Sequence, residues 1–139
     1  GINRAVKQDA DEQNILCSIA DWPDGSGFTL PAAVTRGDLL LTVSTGGKSP
    51  AVAKRIRRAL EKEFGPEYET LLTLMGRIRE KLLQQKRDPA VHKQQFNALL
   101  DSGLLDLIGK EDKTAIDRLL KTILGDGFEF DNLMAREDV

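Results

Sequence analysis

The sequence predicts a mostly helical protein that begins with a short α/β segment and continues as an all-α region. Three observations lead to this prediction. Two apolar runs, at residues 14–20 and 39–44, have the length and composition of β-strands. The turn "STGGKSP" follows the second run and leads into a helix. Every later segment places apolar residues at helical spacing.

The first 44 residues predict a helix, two strands and the turns between them. Residues 1–13 have helical propensity but no visible N-terminal cap, and the run "NILCSIA" (14–20) then reads as a short buried strand. Residues 21–31 are rich in Pro, Asp, Gly and Ser, which predicts a loop. The tripeptide Arg36-Gly37-Asp38 is interpreted as a turn before the second strand, "LLLTVS" (39–44).

From Pro50 onward the sequence predicts only helices. Residues 50–64 form the first, broken by Gly65-Pro66, and its predicted core stripe is Val52, Ala53, Ile56, Leu60 and Phe64. The helix at 66–87 has a stripe of Tyr68, Leu71, Leu72, Met75, Ile78 and Leu82. Further helices are predicted from Pro89 to near Asp101, in the short run 103–112, and at 112–124, with Asp112 as N-cap and Gly125 past the end. Residues 128–139 are expected to be a docked or frayed tail.

Composition indicates an ordinary globular chain of 139 residues, with 30% charged residues and a net charge of −2. No apolar run approaches the roughly 18 residues that cross a bilayer, so we expect no membrane insertion. Five basic and no acidic residues lie between Lys48 and Arg58, whereas residues 101–139 carry ten acidic and five basic ones. The first half should therefore bind anions better than the second. A nucleic-acid partner is not expected, because no aromatic residue is interleaved with the basic run.

Two reactive residue types each occur once. Cys17 lies in an apolar run and is interpreted as an inert buried thiol, and a single cysteine excludes an internal disulfide and fits a reducing cytoplasm. His92 lies in a polar helical turn and is predicted to be a surface residue and not a metal ligand.

The turn "STGGKSP" contains Gly47-Lys48-Ser49, the tail of a nucleotide-binding P-loop. The first glycine of that motif would fall at Thr42, and Pro50 follows the serine directly, so a P-loop is disfavoured. Ser49 as N-cap and Pro50 at the first helical position predict a helix start instead. Such a turn suits any anion, carboxylate as well as phosphate, although a tight strand-to-helix turn without a ligand is the alternative on this motif alone.

The predicted α/β segment has apolar faces that need a covering partner. Two strands and one crossover helix cannot cover their own apolar faces, because a βα unit normally belongs to a larger sheet. Either another part of a parent protein or a second chain should supply the cover.

The run "CSIADWPDGSGFTLPAAVTRGDLLLTVSTGGKSPAVAKRIR" (17–57) resembles the precorrin-2 dehydrogenase and sirohydrochlorin ferrochelatase family, the dehydrogenase–chelatase module of siroheme synthase. The likeness extends from Asn3 to about Leu82 and is loose after Gln84. Ser18 and Ala20 depart from the family's Asn and Val. The resemblance implies the end of a Rossmann domain at residues 1–31, a strand–helix dimerisation segment at 32–65, and a helical C-terminal domain at 66–139.

The resemblance also implies the chemistry. The substrate would be a tetrapyrrole with eight carboxylates, oxidised with NAD and then loaded with Fe²⁺, which the macrocycle's own nitrogens would bind. Asp21 matches the family's catalytic aspartate and would act as general base. The predicted substrate-binding residues are Ser44, Thr45, Gly46, Gly47, Lys48 and Ser49. No G-x-G-x-x-G turn occurs in the chain, so we expect no NAD site here and little activity from this chain alone. Because the macrocycle nitrogens would bind the iron, we also expect no protein metal ligands.

Three arginines and two aromatic residues each have two possible roles. Arg55, Arg57 and Arg58 could add attraction for the substrate, or at least two of them could be a solvated helix face. Trp22 and Phe28 could lie against the macrocycle or pack within the loop. Apart from an enzyme of siroheme synthesis acting as a homodimer, the alternatives are a non-catalytic helical dimerisation module and, disfavoured by Thr42 and Pro50, a nucleotide-binding fragment.

Overall fold

The computed structural model describes residues 2–19, 22, 25–85 and 88–135. This described part is mostly helical, and its elements are α1 (Ile2–Glu12), β1 (Ala32–Arg36), β2 (Leu39–Val43), α2 (Pro50–Glu63), α3 (Glu67–Gln84), α4 (Pro89–Asp101), α5 (Leu104–Gly109), α6 (Lys113–Leu124) and α7 (Phe130–Met134). The chain divides into two compact units. The first unit comprises Gly1–Thr35 and Leu40–Glu63, and the second, helical unit comprises Arg36–Leu39 and Phe64–Val139.

Strands β1 and β2 form a two-stranded sheet. Only Gly37 and Asp38 connect them, and so short a connection requires antiparallel pairing. Gly37 has a φ of +55°, the left-handed conformation that hairpin turns demand. The predicted strand at 39–44 is thus confirmed to within one residue, as is the turn before it. Strand β1 was not predicted; it begins directly after the predicted loop 21–31.

The predicted strand at 14–20 is wrong over its described residues, 14–19, which are irregular. Ser26 Oγ accepts a hydrogen bond from the Ile19 N–H at 2.8 Å, and the Gly27 N–H donates to the Cys17 carbonyl at 2.8 Å. A strand needs a neighbour along its edge, and in the described part of the chain β1 and β2 pair only with each other. The loop residues therefore satisfy each other's backbone groups, and Leu16 stays 74% exposed.

Helix α2 begins where the sequence predicts. Pro50 is its first residue, and the hydroxyl of Ser49 accepts a hydrogen bond from the Val52 N–H at 3.3 Å, which confirms the predicted N-cap. The predicted core stripe of α2 is confirmed at Ala53, the one buried residue of the helix, and is wrong at Val52 and Ile56, which are 49% and 43% exposed. Leu60 and Phe64, its other two residues, are half-buried. The described residues of the first unit supply no element that covers this face.

The helical unit contains the hydrophobic core. Helix α3 contacts α5 and α7, while α6 contacts α4, α5 and α7. The buried residues of this core are Leu71, Leu74, Ile78, Leu82, Leu99, Leu104, Ile108, Ile116, Leu120, Leu124, Phe128 and Leu133. The α3 stripe is confirmed at Leu71, Ile78 and Leu82, whereas Leu72 is 39% exposed and Leu74, which the stripe omitted, is fully buried.

The helix ends of this unit follow the sequence signals. Asp112 accepts a hydrogen bond from the Ala115 N–H at 3.0 Å and caps α6, and Gly125 ends that helix. The tail after α6 is docked, because Phe128 is buried and the Phe130 N–H donates to Asp117 Oδ1 at 2.7 Å. None of the described helices is both long enough and apolar enough to span a membrane.

Candidate anion-binding groove

The turn between β2 and α2 reverses the chain through two glycines. Gly46 and Gly47 have φ values of +58° and +75°, in the left-handed region where an L side chain is strained. These two residues bring the six predicted substrate-binding positions into one compact turn in front of α2.

Two hydroxyls of this turn are used to hold it together. Thr45 Oγ1 donates to the Ser49 carbonyl at 3.1 Å and accepts from the Ser49 N–H at 3.3 Å. The Lys48 N–H donates to the Thr45 carbonyl at 3.1 Å, and Ser49 Oγ caps α2. Thr45 and Ser49 therefore fix the shape of the turn and the start of the helix.

Three groups of the same turn remain available to a ligand. Ser44 Oγ accepts from the Gly46 N–H at 3.3 Å, which leaves its own hydroxyl proton free to donate. The Gly47 N–H has no hydrogen-bond partner among the described residues, and the Lys48 side chain is exposed. These donors could hold one carboxylate or phosphate.

A groove of about 460 Å³ lies beside this turn, entirely within the first unit. One wall is the segment Thr29–Ala32, and the other is the face of α2 that carries Pro50, Ala53, Lys54 and Arg57. Ser44, Thr45 and Gly47 also line it. No acidic side chain is among the described residues that form its walls. The groove therefore favours anions.

The cations of α2 separate into two groups. Lys54 and Arg57 line the groove, whereas Arg55 and Arg58 are exposed and are not part of its lining. Arg57 forms an ion pair with Glu61, one turn further along the helix. From the sequence, Arg55, Arg57 and Arg58 are possible contacts and Lys54 is not singled out, although the spacing Pro50, Lys54, Arg57 already places these residues on one helical face.

The helical unit has a larger cavity, of about 530 Å³, with different electrostatics. Glu67, Glu111 and Lys113 line it, and the Lys113 ammonium donates to Asp131 at 2.6 Å. This hydrogen bond raises the pKa of Lys113. The cavity is a poorer site for a polyanion than the groove.

Asp21, the predicted catalytic residue, lies outside the described residues. Its neighbour Trp22 packs its ring against Gly25, and the Arg4 guanidinium lies 5.6 Å from the ring centroid. Phe28 is 40% exposed. Trp22 thus has contacts within its own loop, and a role for Phe28 against a ligand stays a prediction.

His92 and Cys17 differ from their sequence interpretation. His92 is half-buried, and its Nε2 is enclosed without a hydrogen-bond partner among the described residues. The reason is that α4 lies against α5 and α6, with His92 on the same side as the buried Leu99. Cys17 is half-buried rather than buried. The described part of the chain contains no cluster of three or more His, Cys, Asp or Glu side chains that could bind a metal.

Among the described residues, Gly25 and Gly27 do not form a dinucleotide-binding turn. An irregular segment and strand β1 follow them, and no helix begins there. A dinucleotide-binding turn must lead into a helix whose N-terminus holds the pyrophosphate.

Comparison with known proteins agrees with the motif. The family model for the central domain of sirohaem biosynthesis proteins matches residues 36–63. The chain is 32% identical over 83 residues to siroheme synthase 1 of Yersinia pestis (strain Pestoides F), covering 60% of this chain and 18% of that protein. It is 23% identical over 126 residues to siroheme synthase 2 of Cronobacter sakazakii (strain ATCC BAA-894), covering 90% of this chain and 28% of that protein.

The fold is also similar to a solved structure, SirC, precorrin-2 dehydrogenase, with a TM-score of 0.64 and 19% identity over 87% of this chain and 58% of that one. This likeness supports the predicted fold class, a Rossmann remnant followed by a helical region. The chain spans less than a third of the two siroheme synthases. Together, the motif, the family model and these relatives support a relationship between this chain and the siroheme synthase family.

Proposed function

We propose that this chain is the tetrapyrrole-binding and dimerisation part of a siroheme biosynthesis enzyme. The whole protein would oxidise precorrin-2 to sirohydrochlorin in an NAD-dependent reaction and insert Fe²⁺ as its second substrate. Within it, residues 1–31 would end the Rossmann domain, 32–65 would pair two subunits, and 66–139 would form the helical domain. The observation that carries the proposal is the groove beside the "STGGKSP" turn, whose described walls contain cations and no acidic side chain, in a chain similar to siroheme synthases.

The electrostatics of the groove support a polycarboxylate ligand. Charge-assisted hydrogen bonds from ammonium, guanidinium and backbone N–H groups to carboxylates are about twice as strong as neutral ones. The groove offers all three kinds of donor and no competing carboxylate among its described walls. Because an exposed charge pair contributes only about 0.2–1 kcal/mol, several carboxylate contacts are needed for firm binding, as a tetrapyrrole with carboxylate arms would supply.

The residues of the turn take different parts in this proposal. Ser44, Gly47 and Lys48 would hold a carboxylate arm, while Thr45, Gly46 and Ser49 would keep the turn in shape. This refines the predicted substrate-binding set, since the two hydroxyls already bonded inside the turn are less available to a ligand.

Oxidation of the macrocycle and metal insertion both release protons. Asp21 is proposed as the general base that accepts them, on the strength of its position in the family motif. Iron needs no protein ligand in this scheme, because the tetrapyrrole nitrogens would bind it. Asp21→Asn in the whole protein should abolish both activities and leave tetrapyrrole affinity within about twofold, which separates its role from that of the groove.

Binding of sirohydrochlorin, followed by its absorbance, tests the proposal directly. The chain should bind it, and Lys48→Ala should weaken binding by about twofold to fivefold, the value of one exposed charged contact. Lys110→Ala removes an exposed lysine of the helical unit and should have no effect. Absence of binding to the unmodified chain would favour the alternative of a non-catalytic dimerisation module.

The homodimer is proposed from uncovered apolar surface in the first unit. Val34 and Ala53 are its buried hydrophobic residues within the described part, while Leu40, Val52 and Ile56 are 61%, 49% and 43% exposed. Burying each of these side chains against a second copy would contribute about 1 kcal/mol, from about 25 cal/mol per Å². We therefore expect the α2–hairpin face to form the subunit contact.

Sedimentation equilibrium tests the dimer. Ile56→Glu should convert a dimer into a monomer, because a carboxylate in an apolar interface must be desolvated. Leu83→Glu places the same change at a 64% exposed position on α3 and should leave the dimer intact. Equal behaviour of the two variants would remove the α2 face from the interface.

A further inference from the structure

The groove contains a second set of donors, separate from the turn. Lys54 and Arg57 lie on the face of α2 that lines it, together with Ala53, whose small side chain is buried at the floor. At a rise of 1.5 Å per residue, their backbone positions lie about 6 and 10 Å along the helix from Pro50. Lys54 and Arg57 therefore lie about one and two helical turns beyond the Gly47 N–H and Lys48, which precede the start of α2.

The ion pair between Arg57 and Glu61 shapes these donors without exhausting them. Contact with one carboxylate oxygen of Glu61 restrains the guanidinium, yet an arginine has five N–H donors in a planar fork. Lys54 has no acidic partner among the described residues. The ion pair therefore restrains Arg57 and not Lys54, and both cations line the same stretch of the groove.

We propose that Lys54 and Arg57 form a second carboxylate-binding subsite, which recognises an arm of the tetrapyrrole other than the one held at the "STGGKSP" turn. The inference rests on the proposed function and adds the residues that select for the number of carboxylates. Two subsites about a helical turn or more apart favour a ligand with many carboxylates, because each added arm increases the number of ring orientations in which both subsites are filled. A ligand with fewer carboxylates fills both subsites in fewer orientations and gains less from the second one.

Titration with two porphyrins that share one macrocycle tests this subsite. Uroporphyrin carries eight carboxylates and coproporphyrin carries four, and their binding is measured by fluorescence at low salt, where screening is weak. Lys54→Met and Arg57→Met should each weaken uroporphyrin binding by about threefold to tenfold, with a smaller loss for coproporphyrin. The preference for eight carboxylates should shrink most in the double variant.

Two control variants keep the result specific. Arg58→Met removes an exposed cation of the same helix that does not line the groove, and it should leave both affinities unchanged. Glu61→Gln breaks the ion pair but keeps Arg57, and it should leave uroporphyrin binding unchanged or tighter. A loss with Glu61→Gln equal to that with Arg57→Met would show that Arg57 acts only through the pair, and would overturn the subsite.

The outcomes separate the subsite from the proposed function. If Lys48→Ala weakens uroporphyrin binding while Lys54→Met and Arg57→Met do not, the "STGGKSP" turn binds tetrapyrroles and the subsite is refuted. A loss that is equal for the two porphyrins also refutes it, because the effect then does not depend on carboxylate number. If the unmodified chain binds neither porphyrin and not sirohydrochlorin, the proposed function fails and the subsite with it.

Discussion

The stability of this chain should depend on the core of the helical unit, and helix α3 allows a matched test. Leu74 and Leu83 lie on the same helix, and the former is 0% exposed while the latter is 64% exposed. Leu74→Ala removes a fully buried side chain and leaves a cavity, which costs about 2–5 kcal/mol. Leu83→Ala removes a side chain that is about one-third buried, which costs under about 1 kcal/mol.

These energies translate into measurable differences. For a unit the size of residues 64–139, each kcal/mol lowers the melting temperature by about 4–8 °C. Leu74→Ala should therefore melt about 8–40 °C below the unmodified chain, and Leu83→Ala less than about 8 °C below it. Circular dichroism at 222 nm follows the transition, because helices dominate the signal, and urea denaturation gives the free energy directly. Equal losses for the two variants would refute the position assigned to this core.

Three further predictions concern the ends of the helices. Glu111 has a φ of +54° at the end of α5, where glycine is favoured, so Glu111→Gly should raise the free energy of unfolding in urea by about 0.5–1 kcal/mol. Asp112→Ala removes the cap on the Ala115 N–H and should lower that free energy by about 1 kcal/mol in the same assay, with Asp126→Ala, an exposed residue past α6, as comparison. Hydrogen bonds from its own backbone N–H and from Asn132 hold the pKa of Glu129 below its ordinary value of 4.5. A carboxyl group whose pKa is lower in the folded state stabilises the fold at a pH above 4.5, and this contribution is lost as the pH falls through the folded pKa. The melting temperature of Glu129→Gln should therefore fall less steeply between about pH 5 and pH 3 than that of the unmodified chain.

Local signals predicted the helical elements well. Ser49-Pro50, Gly65-Pro66 and Asp112 mark helix boundaries because caps and breakers act on their own turn of backbone. Such signals hold whatever surrounds them. The same reasoning placed the Arg36-Gly37-Asp38 turn, where the geometry of a two-residue hairpin needs a positive φ.

Predictions that required a packing partner were less reliable. The run at 14–20 has the composition of a strand, but within the described residues no neighbouring strand lies along it. The apolar stripe of α2 predicts burial, yet Val52 and Ile56 are exposed in the single chain. Periodicity shows which face of an element is apolar and does not show what covers it, so both errors fall in the unit for which we propose a second copy.

The candidate site shows a similar limit at the level of single atoms. The motif located the turn, but the residues within it have two different tasks that sequence alone does not distinguish. The Thr45 hydroxyl makes two hydrogen bonds to Ser49, whereas the Gly47 N–H makes none within the described residues. Substitution at Thr45 would therefore reduce binding by loosening the turn, and would also lower the melting temperature. Loss of binding implies direct contact only where stability is unchanged, as expected for Lys48, whose side chain is exposed and holds no part of the turn.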